Sequence, residues 1–162
     1  MKNEIFKKLL FVLALFTVSF SAVAQDGEEV VEEAPEVVID MDFNKSLYAN
    51  NFGNMYMSET PKAVLMAMVV PQSYESGKAE LKKSMEPDLK NFKVQEFTEN
   101  GVKYFACTGI MNQNNEEVYV EVMVKKVVDD SCLMVTSMYE VGVKTKYEKE
   151  AKKAILSAKV ID

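Results

Sequence analysis

The side chains that could carry chemistry in this sequence are two cysteines and two pairs of methionines. Cys107 and Cys132 are the only cysteines of the 162-residue chain, and such a pair could form a disulfide in an exported protein or supply a reactive thiol. The motifs Met55-x-Met57 and Met66-x-Met68 each place two thioethers at alternating positions, and thioether sulfur suits Cu(I). Sulfur chemistry is therefore the first chemistry to consider.

The composition excludes most other reactive groups. The chain has no His, and all 19 basic residues are Lys, so it has neither an imidazole base nor a guanidinium fork for phosphate or carboxylate. The motifs of serine hydrolases, P-loop proteins, dinucleotide-binding enzymes and zinc proteins are also missing from the sequence. We therefore predict that the protein is not an enzyme and uses no cofactor.

The net charge argues against one class of partner. The chain carries a formal charge of -6, and binding to nucleic acid requires clustered cations that neutralise phosphates. We therefore expect no nucleic-acid partner.

The first 24 residues have the pattern of a secretory signal. Three lysines precede an apolar run over residues 9–20, and the small-residue sequence Ala22-Val23-Ala24 is typical of a cleavage site. The alternative, a transmembrane anchor, is disfavoured because the run is shorter than the roughly 20 residues that span a bilayer. We predict a signal peptide over residues 1–24, export to the periplasm or the medium, and no membrane insertion after cleavage.

An acidic stretch follows the predicted signal peptide. Glutamate and aspartate alternate with valine from residue 25 onward, and Pro35 interrupts the stretch. This composition is typical of a solvated segment. We therefore predict a disordered acidic linker over residues 25–44 and a single α+β domain over residues 45–162.

Three apolar, β-rich runs organise the predicted domain. They cover residues 102–111, 118–128 and 132–141, and their connections are short and polar, which predicts one antiparallel meander. In the middle run, Val118, Val120, Val122 and Val124 alternate with Tyr119, Glu121, Met123 and Lys125. Because side chains alternate between the faces of a strand, we predict that the valine face is buried.

The remaining elements complete the prediction. Short strands are expected within residues 47–58, a strand over 63–70, a helix over 75–85 and a strand over 92–98. Near the C-terminus, Thr145 and Glu148 have the spacing of a capping box, and an apolar stripe follows them. The predicted fold class is α+β, with a central antiparallel β-sheet covered by two helices.

This order of elements resembles the PsbP-like fold. The run Asn-Gly-Val-Lys-Tyr-Phe at residues 100–105 resembles the turn and aromatic strand common in that family, and Ile-Leu-Ser-Ala-Lys-Val at 155–160 resembles the usual end of its last helix. The resemblance covers residues 47–162. It implies a sandwich-like fold and a non-catalytic accessory domain, and it assigns no functional residue.

The predicted meander bears on the two cysteines. Cys107 and Cys132 lie on its first and third strands, which would be about 9.6 Å apart at about 4.8 Å per strand. A disulfide requires Cα atoms within about 7 Å of each other. Two buried free thiols are therefore the favoured interpretation and a disulfide the alternative; a catalytic thiol is disfavoured because the sequence contains no His to activate it.

Methionine and aromatic side chains suggest three further interpretations. They could simply fill the core, line a cavity for a small apolar ligand, or bind Cu(I). The predicted cavity is lined by Met55, Met57, Met66, Met68, Phe105, Met123, Met134 and Tyr139. Our leading prediction is an exported accessory or interaction domain for an unidentified protein partner, with small apolar ligand binding second and Cu(I) handling third.

Overall fold

The computed structural model describes residues 37–113, 115–128 and 130–161. Its helices are α1 (Tyr74–Met85) and α2 (Lys144–Ser157), with 3-10 turns at Lys45–Leu47 and Val141–Val143. Its strands are β1 (Val38–Asp40), β2 (Asn50–Phe52), β3 (Met55–Glu59), β4 (Lys62–Val70), β5 (Lys90–Glu99), β6 (Val102–Gln113), β7 (Glu116–Val128), β8 (Ser131–Glu140) and β9 (Lys159–Ile161). The predicted signal peptide and residues 25–36 of the predicted linker lie outside the described residues.

Seven of these strands form one antiparallel sheet in the order β2-β3-β4-β8-β7-β6-β5. The predicted meander is confirmed, since β6 pairs with β7 and β7 pairs with β8. At the turn between β5 and β6, Asn100 and Gly101 have φ values of 51° and 78°, which suits the Asn-Gly type of tight hairpin. The α+β fold class, with an antiparallel sheet and two helices, is confirmed.

Helix α1 covers one face of the sheet. The four valines predicted to be buried lie on this face, and none is more than 5% exposed. The helix contacts the sheet closely at Gly77, where an added Cβ would lie 3.0 Å from Cys132 Sγ and 3.5 Å from Val124 Cγ1. A side chain at position 77 would therefore push α1 away from the sheet. Ser73 caps the start of the helix by accepting a hydrogen bond from the backbone N–H of Ser76.

Helix α2 covers the opposite face. Its apolar stripe, Tyr147, Ala151, Ala154 and Ile155, is at most 1% exposed. This stripe belongs to one core cluster with Leu65, Leu133, Val135 and Tyr139 of the central strands. Each helix thus covers its own side of the sheet.

The prediction of a disordered linker is wrong for the part that the structure describes, from residue 37. Strand β1 pairs antiparallel with β9, and Ile39, Met41 and Phe43 are 4%, 4% and 7% exposed. The backbone N–H of Ile39 also donates to Asn54 Oδ1 at 2.9 Å. These apolar residues alternate with Asp40 and Asp42, so a strand pattern was present, although the acidic composition of the stretch concealed it.

The predicted capping box at Thr145 and Glu148 is also wrong. Helix α2 already begins at Lys144, so Thr145 lies inside it, and the N-cap residue, Val143, makes no side-chain capping bond. The chain enters the helix from the 3-10 turn, where the backbone N–H of Lys144 donates to the carbonyl of Val141. Glu148 instead pairs with Lys144.

Candidate functional site

The candidate site is the part of the α1-side face that β2, β3, β4 and β8 contribute. We call it the methionine face, and it comprises Phe52, Met55, Met57, Val64, Met66, Met68, Met134 and Met138. Strand register brings these residues together in rows: Phe52 lies opposite Met55 and Met55 opposite Met66, while Met68 lies opposite Met134. A further row runs from Met57 through Val64 to Met138.

Burial falls across the methionine face from the centre of the sheet to its edge. On β8, Met134 and Met138 are 5% and 7% exposed. The residues on β3 and β4 are only half-buried, and Phe52 on the edge strand is 60% exposed. Helix α1 lies over β6, β7 and β8, towards the other edge of the sheet. The part of the face nearest β2 therefore presents apolar side chains to the surroundings.

The structure brings together five of the eight residues predicted to line a cavity. Met55, Met57, Met66, Met68 and Met134 all belong to the methionine face.

The other three predicted lining residues lie elsewhere. Met123 and Tyr139 do not belong to the methionine face, because both lie in the core under α2 on the opposite side of the sheet. Phe105 lies on the α1 side but on β6, where Lys78 Nζ stands 6.0 Å from its ring centroid. Alternation along β8 already separates Tyr139 from Met134, and the register of β7 with β8 places Met123 opposite Val135 on the α2 side.

Sequence reasoning left Phe52 and Met138 out of the predicted lining. Met138 is four residues from Met134 on the same strand, so alternation alone places both on one face. The sequence indicates the face of Phe52 less clearly, because its strand, β2, has only three residues in which alternation could be recognised.

Charged residues border the methionine face at one end. We call Glu59, Lys62, Glu116 and Glu140 the acidic rim. The backbone N–H of Lys62 donates to Glu140 Oε1 at 2.9 Å, and Lys62 Nζ forms an ion pair with Glu116. Glu59 lies opposite Lys62 in the ladder between β3 and β4. Three carboxylates and one ammonium group thus lie at this end of the face, which therefore has net negative charge.

The two cysteines are free and buried on the α1 side, and β7 separates their strands. Burial raises the pKa of the Cys107 thiol to about 12 and that of Cys132 to about 11. Thiols with such pKa values are almost entirely protonated near neutral pH, and the thiolate is the reactive form. Neither cysteine is therefore suited to nucleophilic or redox chemistry in the folded protein.

Among the residues that the structure describes, no three His, Cys, Asp or Glu side chains group together in a way that could hold a metal ion. The methionine face does place two pairs of thioethers directly opposite each other, Met55 with Met66 and Met68 with Met134. Copper binding by these pairs stays a prediction.

No helix in the described part of the chain has the length and apolar character needed to cross a membrane.

No protein-family model matches this chain, and no curated protein matches it.

Solved structures do match. LpqN of Mycobacterium tuberculosis, a protein involved in cell envelope biogenesis, superposes with a TM-score of 0.58 at 9% identity, over 81% of this chain and 88% of LpqN. PA94 from Pseudomonas aeruginosa, a protein of unknown function, gives a TM-score of 0.50 at 10% identity, over 83% of this chain and 91% of PA94. Cyanobacterial PsbP (CyanoP) from Synechocystis sp. PCC 6803 gives a TM-score of 0.44 at 9% identity, over 83% of this chain and 98% of CyanoP.

At these identities the similarity concerns the fold alone. The matches to LpqN and PA94 carry that conclusion, and CyanoP, at its lower TM-score, adds no argument to theirs. CyanoP does represent the family that the sequence resembles. This chain thus has the α+β fold that LpqN and PA94 share, and it has that fold without detectable sequence homology.

Proposed function

We propose that this protein is an exported, non-catalytic accessory domain that binds an apolar segment of a partner protein on its methionine face. The observation that carries the proposal is the row from Met66 through Met55 to Phe52, along which the side chains go from half-buried to 60% exposed. A row of apolar side chains that opens towards an edge strand is typical of an interaction surface.

The side chains of this face suit a partner that is not rigidly defined in shape. Methionine is unbranched and has three rotatable bonds, so a methionine-rich surface can adapt to different apolar side chains. Six of the eight residues on the face are methionines of β3, β4 and β8, and the other two are Phe52 and Val64. We therefore expect an apolar segment to bind by adaptation of these side chains.

The acidic rim defines the partner further. Glu59, Glu116 and Glu140 outnumber Lys62 at that end of the face, and Glu59 and Glu116 are exposed. Charge complementarity favours a partner with Lys or Arg next to its apolar residues. We therefore propose an amphipathic segment whose cationic end lies over the acidic rim.

Two further features support the location and the absence of catalysis in this proposal. The signal-like sequence at residues 1–24 supports export, and LpqN, which shares the fold, is involved in cell envelope biogenesis. The lack of His and Arg and the raised pKa values of both thiols support a role without catalysis.

Photocrosslinking tests the proposal in cells that export the protein. A diazirine analogue of methionine incorporated in place of methionine should crosslink Met55, Met57 or Met66 to one partner protein. Met123 supplies an internal control, because it is 3% exposed under α2 and should crosslink only within the chain. Crosslinks that are confined to the chain itself at all methionines would overturn the proposal.

A pair of variants shows whether the methionine face is responsible. Met66→Glu adds a negative charge on the face and should abolish the intermolecular crosslinks at Met55 and Met57. Gln95→Glu adds the same charge at an exposed position of β5 and should leave them unchanged. Native mass spectrometry of the exported protein separates the other occupants: a bound small molecule would favour the apolar-ligand function, and a copper adduct would favour Cu(I) handling.

A further inference from the structure

A group of buried hydroxyls lies on the opposite side of the sheet, beneath α2. Ser137, Tyr139 and Tyr48 are 0%, 1% and 7% exposed. Their hydroxyl oxygens have no hydrogen-bond partner among the described residues. By contrast, the hydroxyl of the neighbouring Tyr147 donates to the carbonyl of Leu47 at 3.1 Å. Unsatisfied hydroxyls are therefore specific to this group and not general to the core.

A carboxylate lies next to these hydroxyls. Glu121 on β7 is directly opposite Ser137 on β8, so the two side chains lie on the same face of the sheet. Tyr139 is close enough for Glu121, Tyr48 and Glu148 to act on it electrostatically. Glu121 is half-buried, and no hydrogen bond or ion pair to it is present in the described part of the chain. Glu121 thus lies across the ladder from a buried hydroxyl and is itself partly open to solvent.

Burying these hydroxyls without a hydrogen-bond partner would cost a large free energy. A buried hydroxyl without a partner loses its hydrogen bonds to water and gains none in return, and the cost for three of them would remove a substantial part of the stability of a typical domain. Buried polar groups in proteins are satisfied in nearly all cases, often by ordered water. Ordered water is therefore the expected partner of these hydroxyls.

We propose that Glu121, Ser137 and Tyr139 form a hydration site, in which ordered water molecules enter beside Glu121 and hydrogen-bond to the two hydroxyls. Water fits the chemistry of the site, because the carboxylate only accepts hydrogen bonds whereas each hydroxyl can both donate and accept. Glu148, Lys152 and Lys144 of α2 all act on the Glu121 carboxylate, so two carboxylates face two ammonium groups and no excess of negative charge favours a metal cation there. Tyr48 can bond to a second water beyond Tyr139.

The hydration site has a consequence for α2. Ala151, Ala154 and Ile155 of α2 pack into the apolar core, whereas Lys144, Glu148 and Lys152 act electrostatically on Glu121. The Glu121 carboxylate is thus coupled to the charged flank of the helix, and the apolar stripe anchors the other side.

Removing one hydroxyl at a time distinguishes hydroxyls that bond to water from hydroxyls that have no partner, because the expected changes in stability have opposite signs. If the hydroxyls bond to water, Ser137→Ala and Tyr139→Phe should each lower the folding equilibrium constant, about fivefold, and lower the urea midpoint. Tyr147→Phe calibrates the loss, since it removes a hydroxyl with a known partner. If Ser137 and Tyr139 were bare, their removal would leave the midpoint unchanged or raise it, and either result would overturn the proposal.

Two measurements on the wild-type protein complete the test. Rotating-frame NMR should detect magnetisation transfer from long-lived water to the backbone amide protons of Glu121 and Ser137. The transfer to the amide of residue 137 should weaken in the Ser137→Ala variant. No transfer to either amide would overturn the proposal. A urea midpoint that rises with sodium or calcium but not with choline chloride, only when Ser137 is present, would assign the site to a cation and overturn the assignment to water.

Discussion

The two faces of the sheet are built from different kinds of side chain and differ in how completely they are covered. Under α2, the core consists of aliphatic and aromatic residues such as Leu65, Leu133 and Tyr147, each at 0% exposure. On the α1 side, the methionine face of β3 and β4 is half-buried. The adjacent residues Leu65 and Met66 show the contrast within a single strand.

This difference separates the closely packed part of the sheet from the part that we propose to bind a partner. Rings on the α2 side stack in defined arrangements, such as Tyr139 with Tyr147 at a centroid distance of 5.9 Å and Tyr119 with Tyr139 at 5.3 Å. Such packing specifies one structure. The thioethers of the methionine face are unbranched and flexible, so packing there imposes fewer constraints of shape.

The largest expected effect comes from a charge placed where α1 covers its face. Val122 is 4% exposed on β7, and Val122→Asp would bury a carboxylate without a partner. We expect a loss of several kcal/mol, on the order of the whole stability of a typical domain, measured by urea unfolding. Thr98→Asp, at an exposed position of the edge strand β5, is the control. An unchanged midpoint for Val122→Asp would show that this part of the face is open.

Neighbouring residues on β4 compare the two faces directly. Leu65→Ala removes a fully buried side chain on the α2 side and should cost about 2–5 kcal/mol. Met66→Ala acts on the half-buried methionine face and should cost about 1 kcal/mol or less, since little area and no closed cavity are involved. Equal losses in chemical denaturation would contradict the difference between the faces.

The reactivity of the two thiols tests whether α1 covers its part of the sheet. Their pKa values of about 12 and about 11, compared with 9.0 for an ordinary thiol, reduce the thiolate by roughly a hundredfold or more. Alkylation of the folded protein at pH 8 should therefore be slower than in urea by at least that factor, as followed by intact mass. If denatured, unreduced protein takes up no label, Cys107 and Cys132 are bridged and the strand order is different.

The smallest expected effect concerns Glu121 and its dependence on pH. Burial, and then the charge of Glu148, raise the pKa of Glu121, while Lys152 and Lys144 lower it. A carboxyl with a raised pKa in the folded state costs nothing at a pH below its unfolded pKa, and costs stability as the pH rises above that value. Glu121→Gln should therefore stabilise the protein slightly at pH 7 and have no such effect at pH 3.5. An equal stabilisation at both pH values would argue against a raised pKa of Glu121 in the folded protein.

The elements that could be predicted from sequence are those whose contacts are local. Alternation of Val118 to Val124 with polar residues predicted β7, and short polar connections predicted its pairing with β6 and β8. The pairing of β4 with β8 has no local signal, because about 60 residues separate positions such as Val70 and Cys132 that lie opposite each other. This pairing decides which methionines share a face, so the candidate site was only partly predictable.

Composition misled the prediction at the start of the domain. The acidic residues Asp40 and Asp42 are typical of a solvated segment, but both are exposed while Ile39 and Met41, which alternate with them, are buried. The partner of this strand, β9, is at the far end of the chain, so only tertiary structure could reveal the pairing.

The pairing of β1 with β9 has a mechanical consequence. Val38 lies opposite Ile161 and Asp40 lies opposite Lys159, so the two ends of the described chain leave the ribbon at the same side. A force that pulls these ends apart loads the hydrogen bonds of the ribbon one pair at a time, in unzipping and not in shear. Ile39 would then leave the core while the seven-stranded sheet is still intact. This ribbon is therefore the element of the domain that tension would release first.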